Sequence, residues 1–366
     1  MSEIAPLPAG VRSRFVDDVN GLRIHVLEAG FETPGRECIL LLHGFPELAY
    51  SWRRVMLPLA RAGFHVIAPD QRGYGMTTGW NADEVFSFRM LNIVRDAIGL
   101  VWALGYDAVA SVMGHDFGSP VAAWCALLRP DVFRSVVLMS APFAGPPPAV
   151  AAGDRRAIHQ ALARLTPPRK HYQWYYSGTQ ANADMLHCSQ GVHAFLRAYF
   201  HMKSADWAAN APFPLQGWTA GELAKLPTYY IVDLHKGMAE TVAPEMPDDA
   251  QVARCHWLTE PELTVYSRMF EQTGFQGGLN WYHCQTDERY CADLQLCSGR
   301  RIDVPAMFIA GKSDWGVYQS PGAFERMQST CCPQMIGCHL IDGAGHWVQQ
   351  EQAEKVAELL VGFVGK

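Results

Sequence analysis

The segment SVMGHDFGSPVAAW, residues 111–124, joins an apolar strand pattern to a helical pattern through a sharp turn. Asp116 lies at the centre of the turn, between Gly114 and Gly118. Glycines at these positions let a strand and a helix approach closely around a strained residue. The pattern G-x-[nucleophile]-x-G presents one side chain to a reacting molecule, and that side chain is usually serine. A carboxylate at this position therefore indicates a different chemistry.

Short apolar runs alternate with helical patterns on both sides of this segment. An Asn20-Gly21 turn predicts an N-terminal hairpin over residues 13–29. Helices are expected near 50–62, from Phe86 to Leu104, after Phe117 and over 351–364. Apolar strands that alternate with helices indicate a parallel sheet covered on both faces. The predicted strands are CILLLH (38–43), HVIAPD (65–70), AVASVMGH (108–115), RSVVLMSA (134–141), VPAMFIAG (304–311) and CHLIDGAGH (338–346).

The strand pattern stops at Ala141 and resumes near residue 304. The stretch PFAGPPPAVAAG (142–153) is rich in Pro and Gly, and the residues after it are aromatic with helical periodicity. We therefore expect an α/β fold with a doubly wound, mostly parallel sheet and a mainly helical cap inserted after the sixth core strand. The expected domains are a core of residues 1–143 and 299–366 and a cap of residues 144–298.

The composition excludes several classes of function. The chain has 366 residues, of which 49% are hydrophobic, so it can form a large core. A formal net charge of −6 argues against nucleic acid and anionic membranes as partners. No uncharged apolar run of about 18 residues predicts a transmembrane helix. The N-terminus MSEIAPLPAGVRSRF lacks a signal-peptide pattern, so we expect a cytoplasmic protein.

Ten cysteines are distributed along the chain, and none forms a CxxC pair. A zinc site is therefore poorly supported, and we expect neither a metal nor a cofactor. Without a secretion signal, reduced thiols in small apolar positions are the favoured interpretation.

Candidate catalytic residues follow the carboxyl ends of strands, where open parallel sheets bind ligands. Asp116, Asp314 and His346 occur in the order nucleophile, acid, histidine. Asp303 precedes its strand and Asp342 lies within the last strand pattern, so Asp314 fits the acid best. The insertion leaves from the same edge of the sheet, so the cap should cover these residues.

The sequence resembles the α/β-hydrolase-fold epoxide hydrolases over nearly its whole length. The resemblance implies a cofactor-independent conversion of a small-molecule epoxide to a vicinal diol. It also implies that the backbone N–H groups of Phe45 and Phe117 hold an oxyanion, and that the Phe45–Pro46 bond is cis. The motifs that carry it are LLHGFPE (41–47), GHDFG (114–118), NWY (280–282), GKSDW (311–315) and GAGHW (343–347).

This chemistry accounts for the aspartate. A carboxylate can displace a leaving group from saturated carbon, which produces an alkyl ester. Water activated by His346, which Asp314 orients, can then hydrolyse that ester. His346 is not needed as the base for the first step, because Asp116 is already ionised at neutral pH.

The leaving group of an epoxide is an alkoxide, which needs a proton donor such as tyrosine, with a pKa of about 10. The resemblance assigns this role to two cap tyrosines. Tyr282 in LNWYH matches one of them, and Tyr172 in HYQWYY matches the other. Tyr175 and Tyr176 are neighbouring alternatives to Tyr172.

Further residues near these motifs are expected to line the substrate pocket: His43, Pro46, Trp281, Trp315 and Trp347. His43 and His115 are also possible bases, but we favour a role in fixing loop geometry by hydrogen bonds.

Two other functions remain open at this stage. Haloalkane and haloacetate dehalogenases share the triad, but they usually carry Trp or Arg where this chain has Phe117. Some dehalogenases take the acid after the preceding strand, where MSAPF (139–143) offers no carboxylate. A non-catalytic binding protein on the same scaffold is the third hypothesis.

The cap segment 197–218 is long and aromatic and contains two cations. It could reshape the pocket or mediate a homodimer.

Overall fold

The computed structural model describes residues 7–149 and 155–365. An eight-stranded central sheet consists, in chain order, of β1 (Val11–Val19), β2 (Leu22–Ala29), β3 (Cys38–Leu42), β4 (His65–Pro69), β5 (Ser111–His115), β6 (Val136–Met139), β9 (Ala306–Gly311) and β10 (Met335–Ile341). The cap contributes two further strands, β7 (Arg169–His171) and β8 (Ile231–Asp233). Residues 1–6, on which the signal-peptide expectation partly rests, lie outside the described residues.

The spatial order of the central strands is β1-β2-β4-β3-β5-β6-β9-β10. β1 pairs antiparallel with β2, and β2 pairs antiparallel with β4. All other pairs are parallel. Strands β3, β5, β6 and β9, in the middle of the sheet, are buried along their whole length, as their continuous apolar runs require. The prediction of a doubly wound, mostly parallel sheet is confirmed.

Helices cover both faces of this sheet, but two of the predicted helices are interrupted. The helix expected from Phe86 begins as a 3₁₀ turn, and Arg89 then adopts an extended backbone before the α-helix starts. The C-terminal helix divides at Gln352, whose φ is −128°. The core helices are α1 (Met56–Arg61), α2 (Met90–Ala103), α3 (Gly118–Leu128), α14 (Ala323–Arg326), α15 (Val348–Glu351) and α16 (Ala353–Val364).

The cap follows β6 and precedes β9, and it is mainly helical. The antiparallel pair β7–β8 was not expected from the sequence, because strands of three residues are too short to show a period. The described cap helices are α4 (Arg155–Ala163), α5 (Tyr172–Tyr176), α6 (Ala181–Leu186), α7 (Gly191–Lys203), α8 (Ala220–Leu223), α9 (Met238–Val242), α10 (Asp249–Arg254), α11 (Glu260–Thr273), α12 (Gln276–Thr286) and α13 (Glu288–Cys291).

Helix α12 lies directly on the core. A Cβ atom added to Gly277 would clash with the carbonyl oxygen of Gly73 and lie 2.5 Å from its Cα. Two side chains of the same helix also bond to core backbone: Trp281 Nε1 donates to Arg72 O at 3.0 Å, and Asn280 Nδ2 donates to Ala82 O at 2.8 Å. The absence of a side chain at Gly277 therefore sets how closely the cap approaches the sheet edge.

We expect Gly277→Ala to destabilise the protein by about 1–3 kcal/mol, because the added methyl meets backbone that cannot move aside cheaply. Gly221→Ala is the matched control, since its Cβ would have no neighbour within 4 Å. Urea unfolding of both variants measures the difference. Equal unfolding midpoints would show that the contact at Gly73 is not tight.

Candidate active site

Asp116 occupies the turn between β5 and α3, with a φ of 53°. Left-handed backbone is strained for a residue other than glycine. The flanking glycines permit the turn: a Cβ on Gly114 would lie 2.8 Å from Ser119 N, and one on Gly118 would lie 2.7 Å from His43 O. The local sequence thus projects the Asp116 carboxylate from the sheet edge towards the cap.

The structure brings the three predicted triad residues together. His346 Nε2 lies 3.2 Å from Oδ2 of Asp116, and Nδ1 of the same ring lies 3.2 Å from Oδ1 of Asp314. Asp314 and His346 are each only 1% exposed. Asp314 Oδ1 also accepts the Gly316 amide at 2.7 Å, which fixes the carboxylate.

The two triad carboxyls are held as anions. Burial raises the pKa of Asp116, but the hydrogen bond and charge of His346 outweigh burial and leave that pKa well below its usual range. The pKa of Asp314 is also lowered, because His346, Ser140 and the Gly316 amide outweigh its burial. The surroundings of Asp116 thus favour its carboxylate form.

The predicted oxyanion loop lies beside Asp116. The Phe45 amide donates to Oδ1 of Asp116 at 2.9 Å, and the Phe45–Pro46 bond is cis. Within the described ranges, no hydrogen bond joins the Phe117 amide to this carboxylate, so its oxyanion role stays a prediction. His115 holds the adjoining loops together, with Nδ1 2.6 Å from Oε2 of Glu47 and Nε2 donating to His346 O at 2.6 Å.

Ser140 is a close neighbour of His346 that sequence reasoning missed. Its Oγ lies 2.8 Å from Nδ1 of His346, closer than Asp314. Ser140 is fully buried, directly follows β6 and has a φ of 67°. The rule that located the triad also points to this position, but only a carboxylate was sought there.

A cavity of about 350 Å³ lies between the core and the cap. Asp116 and Phe117 line its core side, and Tyr172, Trp281 and Tyr282 line its cap side. Among the described lining residues, Asp116 is the one whose side chain is charged at neutral pH. The rest of the lining is mostly apolar, and includes Phe88, Met90, Ile93, Trp124, Phe143 and Leu294.

The cap tyrosines differ in their hydrogen bonds. Tyr172 donates its hydroxyl to Gln319 Oε1 at 2.9 Å. Tyr282 has no protein hydrogen-bond partner for its hydroxyl in the described part of the chain. Tyr175 donates to Asp184, and Tyr176 donates to Tyr199, and neither of these two rings lines the cavity. Tyr172 is thus the better placed of the three neighbouring tyrosines.

Burial and the negative charge of Asp116 raise the pKa values of Tyr172 and Tyr282 well above 10. Both hydroxyls therefore keep their protons in the resting protein. They can act as hydrogen-bond donors to a more basic oxygen in the cavity.

The expectation for the remaining pocket residues is corrected. Trp281 lines the cavity, whereas His43, Pro46, Trp315 and Trp347 do not. His43 uses both ring nitrogens in bonds to backbone: Nδ1 donates to Gly44 O in its own loop, and Nε2 accepts from the Gln71 amide in the loop after β4.

The two other tryptophans are used in packing between the core and the cap. Trp347 is fully buried against Phe200, and its Nε1 donates to Phe200 O at 2.9 Å. Trp315 packs on Phe213, with ring centroids 5.0 Å apart. Both were assigned to the pocket because they follow a catalytic residue in sequence, and that position does not fix the direction of a side chain.

Lys203, one of the two cations noted in segment 197–218, lies close to the site. Its Nζ lies 5.3–5.8 Å from the ring centroids of four aromatic residues, Tyr199, Tyr229, Tyr230 and Trp347. Its charge contributes to the low pKa of Asp116. Sequence pattern alone could not place this cation near the loop that carries His346.

Within residues 7–149 and 155–365, no group of three or more His, Cys, Asp or Glu side chains could hold a metal ion. Over the same ranges, no helix is both long and apolar enough to span a bilayer.

Comparison with known proteins agrees with this geometry. Residues 37–353 match the family model described as alpha/beta hydrolase fold. Epoxide hydrolase B of Mycobacterium tuberculosis is 33% identical over 356 residues, which cover 94% of this chain and 96% of that protein. The chain belongs to the epoxide hydrolases of the α/β hydrolase fold.

Solved structures of epoxide hydrolases have the same fold. An epoxide hydrolase from an endophytic Streptomyces has a TM-score of 0.80 and 32% identity, covering 98% of this chain and 96% of that one. A laboratory-evolved variant of potato epoxide hydrolase has a TM-score of 0.74 and 27% identity, with 97% and 99% covered.

We expect Ser140→Ala to change the environment of Nδ1 of His346 without unfolding the protein, because it removes the nearer of two hydrogen-bond partners. The measurement is the downfield imidazole N–H signal in the ¹H NMR spectrum, assigned by its loss in His346→Gln. Ser119→Ala is the control, since that buried hydroxyl donates to Ala141 O at 2.7 Å instead. A signal unmoved in Ser140→Ala, or moved equally in Ser119→Ala, would count against this contact.

Proposed function

We propose that this protein hydrolyses epoxides to vicinal diols through a covalent ester on Asp116. One observation carries the proposal: an ionised Asp116 and the hydroxyl-bearing rings of Tyr172 and Tyr282 line opposite sides of one cavity. A nucleophile for carbon and donors for the departing oxygen are both needed to open an epoxide.

The first step opens the ring. Asp116 Oδ1 accepts the Phe45 amide, so the other carboxylate oxygen attacks an epoxide carbon. A C–O bond to Asp116 forms as the ring C–O bond breaks, and the electron pair of the broken bond goes to the epoxide oxygen. Tyr172 and Tyr282 donate hydrogen bonds to that oxygen, and one of them transfers its proton to it and becomes a tyrosinate.

The second step hydrolyses the ester. His346 takes a proton from water at Nε2, and the resulting hydroxide attacks the carbonyl carbon of the Asp116 ester. Asp314 stabilises the imidazolium that forms. The Phe45 and Phe117 amides bind the tetrahedral oxyanion. Collapse breaks the carbonyl carbon–oxygen bond to the alkyl group, whose oxygen leaves with the remaining proton of the attacking water and completes the diol. Asp116 is regenerated as a carboxylate with one oxygen from water. The imidazolium returns its proton, through solvent, to the tyrosinate left by ring opening.

The dehalogenase hypotheses receive less support from the cavity. A halide needs N–H donors. Of the two tryptophans that line the cavity, Trp281 already donates its indole N–H to Arg72 O, and Phe117 follows the nucleophile where haloalkane dehalogenases usually carry Trp. A haloacetate needs a cation for its carboxylate, and the described cavity lining contains none. Fluoride release from fluoroacetate and halide release from haloalkanes are the assays that would favour these functions over epoxide hydrolysis.

A non-catalytic binding protein is also less well supported, because the triad contacts of Asp116, Asp314 and His346 are complete. Tight ligand binding without turnover would favour it.

The lining of the cavity further indicates an uncharged, largely apolar epoxide as substrate. A cytoplasmic location and a homodimer remain predictions from the sequence.

A single turnover in ¹⁸O-water tests the covalent step. With enzyme in excess over styrene oxide, we expect the diol to contain no ¹⁸O, because its new oxygen comes from Asp116. A tryptic peptide containing Asp116 should instead gain one ¹⁸O. Asp116→Ala should fold and show no turnover. Label in the diol from the first turnover would refute the ester.

Replacing the cap tyrosines with phenylalanine tests the ring-opening step. Loss of one donor to a developing oxyanion costs about 10²–10³ in rate. We expect Tyr172→Phe and Tyr282→Phe to be slowed but active, with weaker substrate binding, and the double variant to be nearly inactive. Stopped-flow measurement of ester formation separates this step from hydrolysis.

Tyr176→Phe is the matched control, because that hydroxyl donates to Tyr199 outside the cavity. It should open the ring at close to the wild-type rate. Near-wild-type ring opening by the double variant would show that one of the two tyrosines is misassigned.

A further inference from the structure

The loop that carries His346 is fixed to the cap as well as to the core. The His346 amide donates to Lys203 O, at the end of α7, at 2.9 Å. The preceding residue, Gly345, lies flat against the same cap segment: a Cβ there would be 2.5 Å from Ser204 C and 2.6 Å from Ala205 N. The position of the catalytic histidine therefore depends on how the cap is seated.

A single carboxylate joins these parts. Glu351 Oε2 accepts the Gly345 amide at 2.9 Å and the Ala205 amide at 2.8 Å. Glu351 Oε1 accepts the Trp347 amide at 2.9 Å. The two residues on either side of His346 and Ala205, just after α7, thus share one carboxylate. Neither step of the proposed mechanism assigns a role to Glu351.

We propose that Glu351 is a positioning residue for ester hydrolysis, which fixes the His346 loop against the end of α7 so that His346 can activate water. This inference rests on the proposed function. Glu351 touches neither the substrate nor the reacting atoms, so its effect passes through the backbone of Gly345 and Trp347. Ring opening by Asp116 does not need His346 as a base and should be affected much less.

Substitution by glutamine tests this arrangement with almost no change in shape. Three N–H groups converge on the two carboxylate oxygens. Both oxygens of Glu351 keep an acceptor lone pair in the ionised and in the neutral acid, whereas the amide nitrogen of glutamine has none to offer. In Glu351→Gln, at least one backbone N–H must therefore face an NH₂ group. The repulsion displaces the backbone on one side of His346 or the cap backbone after α7.

The experiment measures the two half-reactions separately in the full-length protein. We expect Glu351→Gln to form the ester from styrene oxide within about threefold of the wild-type rate and to hydrolyse it at least about tenfold more slowly. Intact-mass spectrometry should then show protein plus one substrate mass at steady state. Stopped-flow tryptophan fluorescence gives both rate constants. His346→Gln supplies the reference mass spectrum of protein with trapped ester.

Glu262→Gln is the matched control. Glu262 lies on cap helix α11 and binds Arg53 of the core at 3.0 Å, so its loss weakens the contact between cap and core. It reaches the His346 segment only indirectly, through Arg53, which also donates to Gln350 Oε1 at 2.7 Å. We expect no accumulation of ester in this variant. Equal accumulation in Glu262→Gln and Glu351→Gln would overturn the specific role of Glu351, as would wild-type ester hydrolysis in Glu351→Gln.

Glu351→Asp is the variant that tests the inference if circular dichroism shows that Glu351→Gln is unfolded. The shorter side chain keeps both acceptor oxygens but withdraws them, so ester hydrolysis should slow selectively and to a smaller extent. Unchanged hydrolysis in Glu351→Asp would overturn the inference. If His346→Gln also traps no ester and the wild type does not turn over epoxide, the proposed function itself fails, which is a distinguishable result.

Discussion

An ionised carboxylate at a strained turn is the constraint on which the rest of the site depends. Burial alone would raise the pKa of Asp116, and His346 outweighs that effect, assisted by Lys203 and His115. A serine at this turn would require His346 as its base in the first step. Because the carboxylate does not, the proposed mechanism assigns His346 to water alone. The cap is then left to supply the proton donors for the departing oxygen.

The sheet and the triad could be predicted because each depends on a rule that a single sequence displays. Apolar runs alternating with helices indicate a parallel sheet, and the carboxyl ends of parallel strands meet at one edge, which brings Asp116, Asp314 and His346 together. Ser140 obeys the same rule and was missed, because a hydroxyl does not reveal its partner by residue type. Strand β7 was missed because three residues show no periodicity.

The pocket could be predicted only in part, because position along the chain does not fix the direction of a side chain. Trp347 follows His346 directly, yet its ring packs on Phe200 and away from the cavity. Lys203 is about 140 residues from His346 in sequence, yet its backbone carbonyl oxygen accepts the His346 amide. Contacts of this kind depend on how the cap packs on the core. A single sequence shows no pattern from which the packing of two irregular surfaces can be predicted.

The loop from Asp314 to Gln319 connects the two proposed half-reactions. Asp314 orients His346, while Gln319 accepts the hydroxyl of Tyr172. An epoxide oxygen must therefore compete with Gln319 for Tyr172, whereas Tyr282 has no such competitor in the described part of the chain. The two tyrosines are thus unequal before substrate arrives, although both line the cavity. The ring-opening donor Tyr172 and the histidine that activates water are thus both held by side chains of one short loop.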